Sequence, residues 1–228
     1  MTKKLLIFDI LIISITTIAI VTLNFIFGFS VLSILSSIGS VAGIIYTVLA
    51  MSTSKFSFFF GIINNIFYGI VALMTRVYLL FAYAVIFCIP ILIIGIVNQL
   101  RKYKKESKIK KMSKGLFSLL LPIQLIGYIV FVFGLFMLNG NYYYLDALMT
   151  SFLMISLILL TNFILECYIY FSIGSLLGVV MYILLTIQDI SNISILIMWV
   201  CYFLCAIIGF VNWTKLYRLQ QNIAFKKI

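Results

Sequence analysis

Residues 93–103 read IIGIVNQLRKY, and residues 207–217 read IIGFVNWTKLY. Each matched pair is 114 residues apart, so the chain writes Ile-Ile-Gly-x-Val-Asn-x-x-(Lys/Arg)-x-Tyr twice. Apolar bias inflates chance matches of Ile and Val. The Gly, Asn, basic and Tyr positions are not apolar, and they carry the repeat. Both copies close an apolar run and open a basic one, as a helix does where it leaves a membrane.

Composition sets the solvent. The chain has 228 residues, 65% hydrophobic and 9% charged, where an ordinary soluble domain is about 25% charged. A chain this short has too little interior to hide so much apolar side chain from water. Lipid takes that role, which excludes a soluble enzyme, a disordered tail and a secreted domain. The absence of His and the scatter of Cys88, Cys167, Cys201 and Cys205 leave no zinc spacing and no His for haem. No cofactor or metal is expected. The four cysteines lie in apolar segments and read as packing.

A spanning helix needs about 20 apolar residues. Charge, Gly and Asn divide the chain into eight such segments: 5–27, 31–51, 56–75, 77–100, 116–138, 145–165, 168–188 and 193–213. The first is too long for a signal peptide and lacks a small-x-small cleavage site. Eight of the sixteen basic residues fall between Arg101 and Lys114, and four follow Trp213. With the N-terminus inside, these join Lys3, Lys4 and Lys55, leaving Arg76 alone outside. That asymmetry predicts an inner-membrane protein with both termini cytoplasmic. It also explains the net charge of +11 without nucleic acid; lipid headgroups are the expected partner of the basic loop.

Four spans separate the two copies, so both units point the same way. The predicted fold is an all-α membrane bundle with a parallel 3+1+3 repeat behind an extra N-terminal helix. Its parts are 1–30 (first helix), 31–103 (first unit), 104–141 (basic loop and linking helix), 142–217 (second unit) and 218–228 (basic tail). Parallel repeats are a transporter architecture, with the substrate between units near the midplane.

A polar group in hydrocarbon is costly without a partner, so the few polar residues inside spans are candidates for a site. Asn64 and Tyr68 lie one turn apart on one face, as do Gln124 and Tyr128. Tyr168, Phe171 and Ser175 form a stripe. For any one of them, a hydrogen bond between helices is the simpler role. Together, amides, hydroxyls and rings suit a neutral or cationic heterocycle bearing hydroxyls. Gly39 with Gly43, and Gly174 with Gly178, permit close helix approach. Pro90 predicts a kink. Asp146 opens its span, where it either caps the helix or serves an outer gate. Asp9 stands near Lys3 and Lys4 and is expected to pair with them. No acid lies near the centre of a repeat helix, which favours facilitated diffusion over ion coupling. No acidic pair shares a helix face and no nucleophile has a base in reach, so no enzyme is expected.

The stretches Phe59-Phe60-Gly61-Ile62-Ile63-Asn64 with Tyr68, Pro90 with Ile94-Gly95, 144–150 (YLDALMT) and Asn212-Trp213 resemble the PnuC family of nicotinamide riboside transporters. The resemblance implies a duplicated three-plus-one-plus-three bundle like that of SWEET sugar carriers. It further implies uptake of a nucleoside-like vitamin precursor, nicotinamide riboside first, and homo-oligomers, commonly trimers. The family's Trp-x-x-Trp-x-x-x-Asn signature falls here on Tyr168, Phe171 and Ser175, keeping the rings and losing the amide. Leu79 and Leu80 replace a Gly and an acid, and Gln99 replaces a Trp. Thiamine, riboflavin or another nucleoside therefore stays open as substrate, as does a vitamin-binding subunit of an energised complex.

Overall fold

Only a helix or a closed barrel satisfies its own backbone in lipid, and this chain takes the first solution. A computed structural model describes residues 3–28, 30–51, 56–101 and 109–225. The helices are α1 (Lys3–Phe27), α2 (Val31–Met51), α3 (Ser57–Met74), α4 (Tyr78–Ala82), α5 (Ile89–Arg101), α6 (Lys114–Met137), α7 (Tyr143–Thr161), α8 (Cys167–Gln188) and α9 (Ile193–Phe225). A π-helix, Tyr83–Cys88, joins α4 to α5, and a short 3-10 turn, Ile190–Asn192, leads into α9. Seven helices are long and apolar enough to span alone. The fourth span is composite, with α4, the π-helix and α5 running on as one rod. Lys55, residues 102–108, Lys226 and Lys227 lie outside the described residues, as do the side chains of Lys3, Lys4, Asp9, Asn98 and Gln99.

Within each three-span unit the middle helix packs on both others: α3 on α2 and on the α4–π–α5 rod, and α8 on α7 and α9. Between units, α2 packs on α9, and α7 packs on α4 and the π-helix. The six spans thus close into a ring. Outside it, α1 leans on α2 and α9, while α6 leans on α7 and α4. These contacts correspond one for one under the 114-residue offset, with α1 and α6 in equivalent places. The flanking helices face lipid: 11% of each spanning window is buried, against 50% in α2.

Alternating passes place the start of α1 and the end of α9 on one membrane face, here the terminal face; the other is the far face. The core runs through the ring, with Trp199, Tyr182, Met181, Met198 and Leu80 at most 2% exposed. Glycine slots let the helices close. A Cβ on Gly178 would sit 2.5 Å from Trp199, and one on Gly174 would sit 2.9 Å from Leu153.

Pro90 sits at the second position of α5, directly after the π-helix. It has no N–H, and its ring crowds the carbonyl of Ile86 in an ordinary α-turn; the wider π-turn makes room for the ring. The expected break is therefore a widened turn. On the terminal face, 109–113 forms a strap under the second unit. Lys110 bridges 163–165 in a parallel β-bridge, Met112 N donates to Glu166 Oε2 at 2.8 Å, and Ile109 N donates to Gln220 Oε1 at 3.1 Å. Ser113 then caps α6 by accepting from Leu116 N.

Candidate functional site

The ring of helices encloses a cavity of about 100 Å³ between the two units, several times what one water needs. From α2 come Tyr46, Thr47 and Ala50, and from α3 Asn64, Asn65 and Tyr68. The composite span gives Leu80, Tyr83, Cys88 and Leu92. The second unit gives Leu153, Ser156, Leu157 and Leu160 from α7, Cys167, Tyr168 and Phe171 from α8, and Trp199 and Tyr202 from α9. Residues from α2, α7 and α8 lie in the parts of those helices nearest the terminal face. The cavity therefore runs from mid-membrane toward that face. None of the described lining residues is charged.

Asn64 lies at the centre and is 4% exposed. Its Nδ2 donates to Gly39 O at 2.9 Å and meets Met198 Sδ at 3.4 Å, while its Oδ1 accepts from Tyr202 Oη at 3.2 Å. A Cβ on Gly43 would sit 2.6 Å from Asn64 Nδ2 and closer still to Tyr202 Oη, so the bare backbone is what admits this pair. Tyr202 in turn packs on Phe171, with ring centroids 5.7 Å apart.

Tyr68 accepts from Trp199 Nε1 at 3.0 Å. Tyr68, Trp199 and Tyr182 stand within 6.5 Å of one another, centroid to centroid. Tyr68 and Tyr182 correspond under the 114-residue offset, so a ring from each unit meets at the centre. This layer floors the cavity on its far-face side. At the terminal end, the ring of Tyr168 rests on Gly209 and meets Trp213 edge to face at 5.2 Å. Phe163, at φ +57°, stacks on Trp213 at 6.2 Å.

Of the residues singled out from sequence, Asn64, Tyr68, Tyr168 and Phe171 come together around the cavity. Ser175 is fully buried one turn behind Phe171, and its hydroxyl donates to Phe171 O at 2.7 Å on its own helix. Gln124 stands half-exposed on α6, outside the ring. Sequence reasoning missed Tyr46, Tyr83, Trp199 and Tyr202. All four are rings in apolar spans, and composition gives them no mark that separates a cavity wall from a lipid-facing ring. Trp199 and Tyr202 did carry a weak signal, being large rings one turn apart.

Asp146 does not cap its own helix. It is 1% exposed, and its carboxylate accepts from Leu79 N at 3.0 Å and Leu80 N at 3.1 Å, with Thr150 Oγ1 donating at 3.2 Å. A carboxylate of the second unit thus caps α4 of the first. Beside it, Asn141 N donates to Arg76 O and Asn141 Nδ2 to Thr75 O, both at 3.0 Å. The other seam between units carries hydroxyls: Ser37 and Ser194 lie Oγ to Oγ at 3.1 Å, and Asn24 Nδ2 donates to Ser37 at 2.6 Å. Ser36 donates to Ser191 O at 3.2 Å. Both clusters lie at the far face.

The family model described as nicotinamide mononucleotide transporter matches residues 33–215. A crystal structure of the vitamin B3 transporter PnuC is similar in fold, with a TM-score of 0.78 at 19% identity, over 96% of this chain and 93% of that one. No curated protein matches the chain.

Proposed function

As the chain belongs to the nicotinamide mononucleotide transporter family, we propose that it takes up a nucleoside-like vitamin precursor, nicotinamide riboside first, by facilitated diffusion. The observation that carries this reading is a cavity between duplicated units, walled by tyrosine, phenylalanine and tryptophan and, among the described residues, lined by no charged side chain. Aromatic faces hold a flat cationic ring by stacking and cation–π attraction. Hydroxyls of Thr47, Tyr83, Ser156 and Tyr168 suit a ribose. Among the described lining residues a phosphate has no cation to meet, and burying its charge unpaired is costly. The substrate is therefore the nucleoside and not the nucleotide.

In this reading Tyr168, Phe171 and Tyr202 face the ring. Tyr68 binds a polar group, and Asn64 acts by holding Tyr202. Ser175 keeps its hydroxyl on its own helix, and Gln124 takes no direct part. The terminal face is cytoplasmic in the inner membrane, as the basic residues there suggest. The chain works as a homo-oligomer.

The rings of Tyr168 and Phe171 favour a second reading in which a thiazolium or flavin ring takes the nicotinamide's place. A thermal-shift panel on the purified protein separates the cases. Nicotinamide riboside should stabilise it with micromolar affinity, about −8 kcal/mol. Nicotinamide mononucleotide should not. A shift with thiamine or riboflavin alone selects the second reading, and no shift with any of them sinks both. Unaided uptake by proteoliposomes of the chain alone excludes a subunit that needs an energising complex.

A further inference from the structure

We infer that Asp146 and the Ser37–Ser194 pair are two latches, one on each seam between the units, which hold the far face shut and open together. The inference rests on the transport reading above, since a latch matters only if the cavity must face both sides.

Three observations carry it. The cavity runs toward the terminal face, so the described state is closed at the far face. The far-face seams are joined by specific, directional groups where apolar packing alone would serve: a buried carboxylate taking two backbone N–H groups of the other unit, and a pair of hydroxyls 3.1 Å apart. Finally, the two seams are the same place in the repeat. The 114-residue offset carries Leu80 onto Ser194 and Thr150 onto Ser36, so each latch ties the start of a unit's last span to the start of the other unit's first span.

Each latch is reversible in the way a gate requires. The N–H groups of Leu79 and Leu80 are the free donors of a helix start, which water serves as well as Asp146 does. The serine hydroxyls likewise exchange one another for water. Rocking the units about an axis in the membrane plane that crosses both seams breaks both latches at once. Asp146, Ser37 and Ser194 are not among the described lining residues, and Asp146 meets the wall only through the backbone N–H of Leu80; all three are positioning residues.

The test locks one seam and reads the other. The double variant Ser37→Cys with Ser194→Cys places two thiols where two hydroxyls now touch. It is compared with itself, reduced and oxidised, with the disulfide verified by mass spectrometry. Amide hydrogen exchange at Leu79 and Leu80, across the molecule, should slow at least fivefold on oxidation, while α1 exchanges as before. Unchanged exchange at Leu79 and Leu80 overturns the inference. In proteoliposomes, uptake of nicotinamide riboside should fall more than tenfold on oxidation and return with reductant; oxidised protein that keeps its uptake also overturns it. If the reduced protein and the parent both leave nicotinamide riboside outside, the substrate reading fails, and the exchange arm, which uses no ligand, still decides the latches.

Discussion

Asn64 shows what one polar residue in lipid must do. Both ends of its amide are occupied, toward Gly39 and Met198 on one side and Tyr202 on the other, so its work is to fix a ring that faces the cavity. Tyr202→Phe removes the one hydroxyl that serves Asn64 Oδ1. It should lower stability by about 1 kcal/mol and weaken substrate binding several-fold, read by thermal melting and by titration. The glycines make a sharper pair. At Gly43 a methyl would press on Asn64 Nδ2 at 2.6 Å and Met198 Sδ at 2.8 Å, an overpacking worth about 1–3 kcal/mol. At Gly134 on α6 nothing lies within 4 Å, so Ala is tolerated or gains up to about 1 kcal/mol of helix propensity. Gly43→Ala should therefore melt well below the parent, and Gly134→Ala at or above it. Asn64 was legible in the sequence because amides are rare in spans. Its partner Tyr202 was not, because a tyrosine in an apolar helix looks the same whether it faces a cavity, a neighbour or lipid.

The fourth span is where local chemistry and packing meet. Pro90 marked a break at the right place in the chain, yet a proline alone does not decide between a bend and a widened turn. Packing against α3 decides here: a Cβ on Gly69 would lie 3.2 Å from Val85, so the rod follows α3 closely and takes up the proline by adding a residue to its turn. That extra residue sets the direction of Leu80 and Tyr83 toward the cavity. Pro90→Ala lets the segment return to α-helical register, which turns every residue before it by about 100° relative to α5. Because that turn moves the buried Leu80 and the N–H groups held by Asp146, the variant should melt below the parent while its initial uptake rate falls several-fold. The strap at the terminal face depends on Glu166 in the same local way. Glu166→Ala leaves Met112 N without its acceptor, and tryptic cleavage at Lys110 and Lys111 should quicken several-fold, read as peptide release over time. Most span ends were legible to within a few residues because charge and Gly stop a membrane helix visibly; the exception is α9, read as ending at 213, which runs on through Lys215 and Arg218 to Phe225. The strap was not, since 109–113 reads as one more piece of a basic loop.

At the scale of the molecule, duplication explains both the shape and the place of the site. The flanking helices α1 and α6 hold equivalent positions, so the bundle reads equally as two four-helix copies, with the cavity where the copies meet. The repeat at 93–103 and 207–217 announced two parallel units with a site between them, because matched Gly, Asn, basic and Tyr positions survive apolar bias, but it gave no sign that the first helix is the counterpart of the linking one. It did not announce the closed ring or the seams, which depend on contacts between units that have no counterpart in either copy alone. The ring also bears on energetics. An ion-coupled carrier needs a charge or a cluster of oxygens that binds the ion and the substrate state together. None of the cavity's described lining residues is charged, and Asp146, which is not among them, is already engaged by Leu79, Leu80 and Thr150. In the facilitated-diffusion reading proposed above no ion is coupled to the cargo, and an ion gradient then exerts no differential effect on the two faces of the cavity. Uptake of nicotinamide riboside into proteoliposomes should therefore level off at equal concentrations inside and out, and labelled substrate should exchange against unlabelled substrate held within. A sodium or proton gradient imposed across the vesicle should leave that plateau where it is. A plateau several-fold above equality under either gradient would mean that backbone carbonyls in the ring bind the ion, and the cavity would have to be read again with that ion in it.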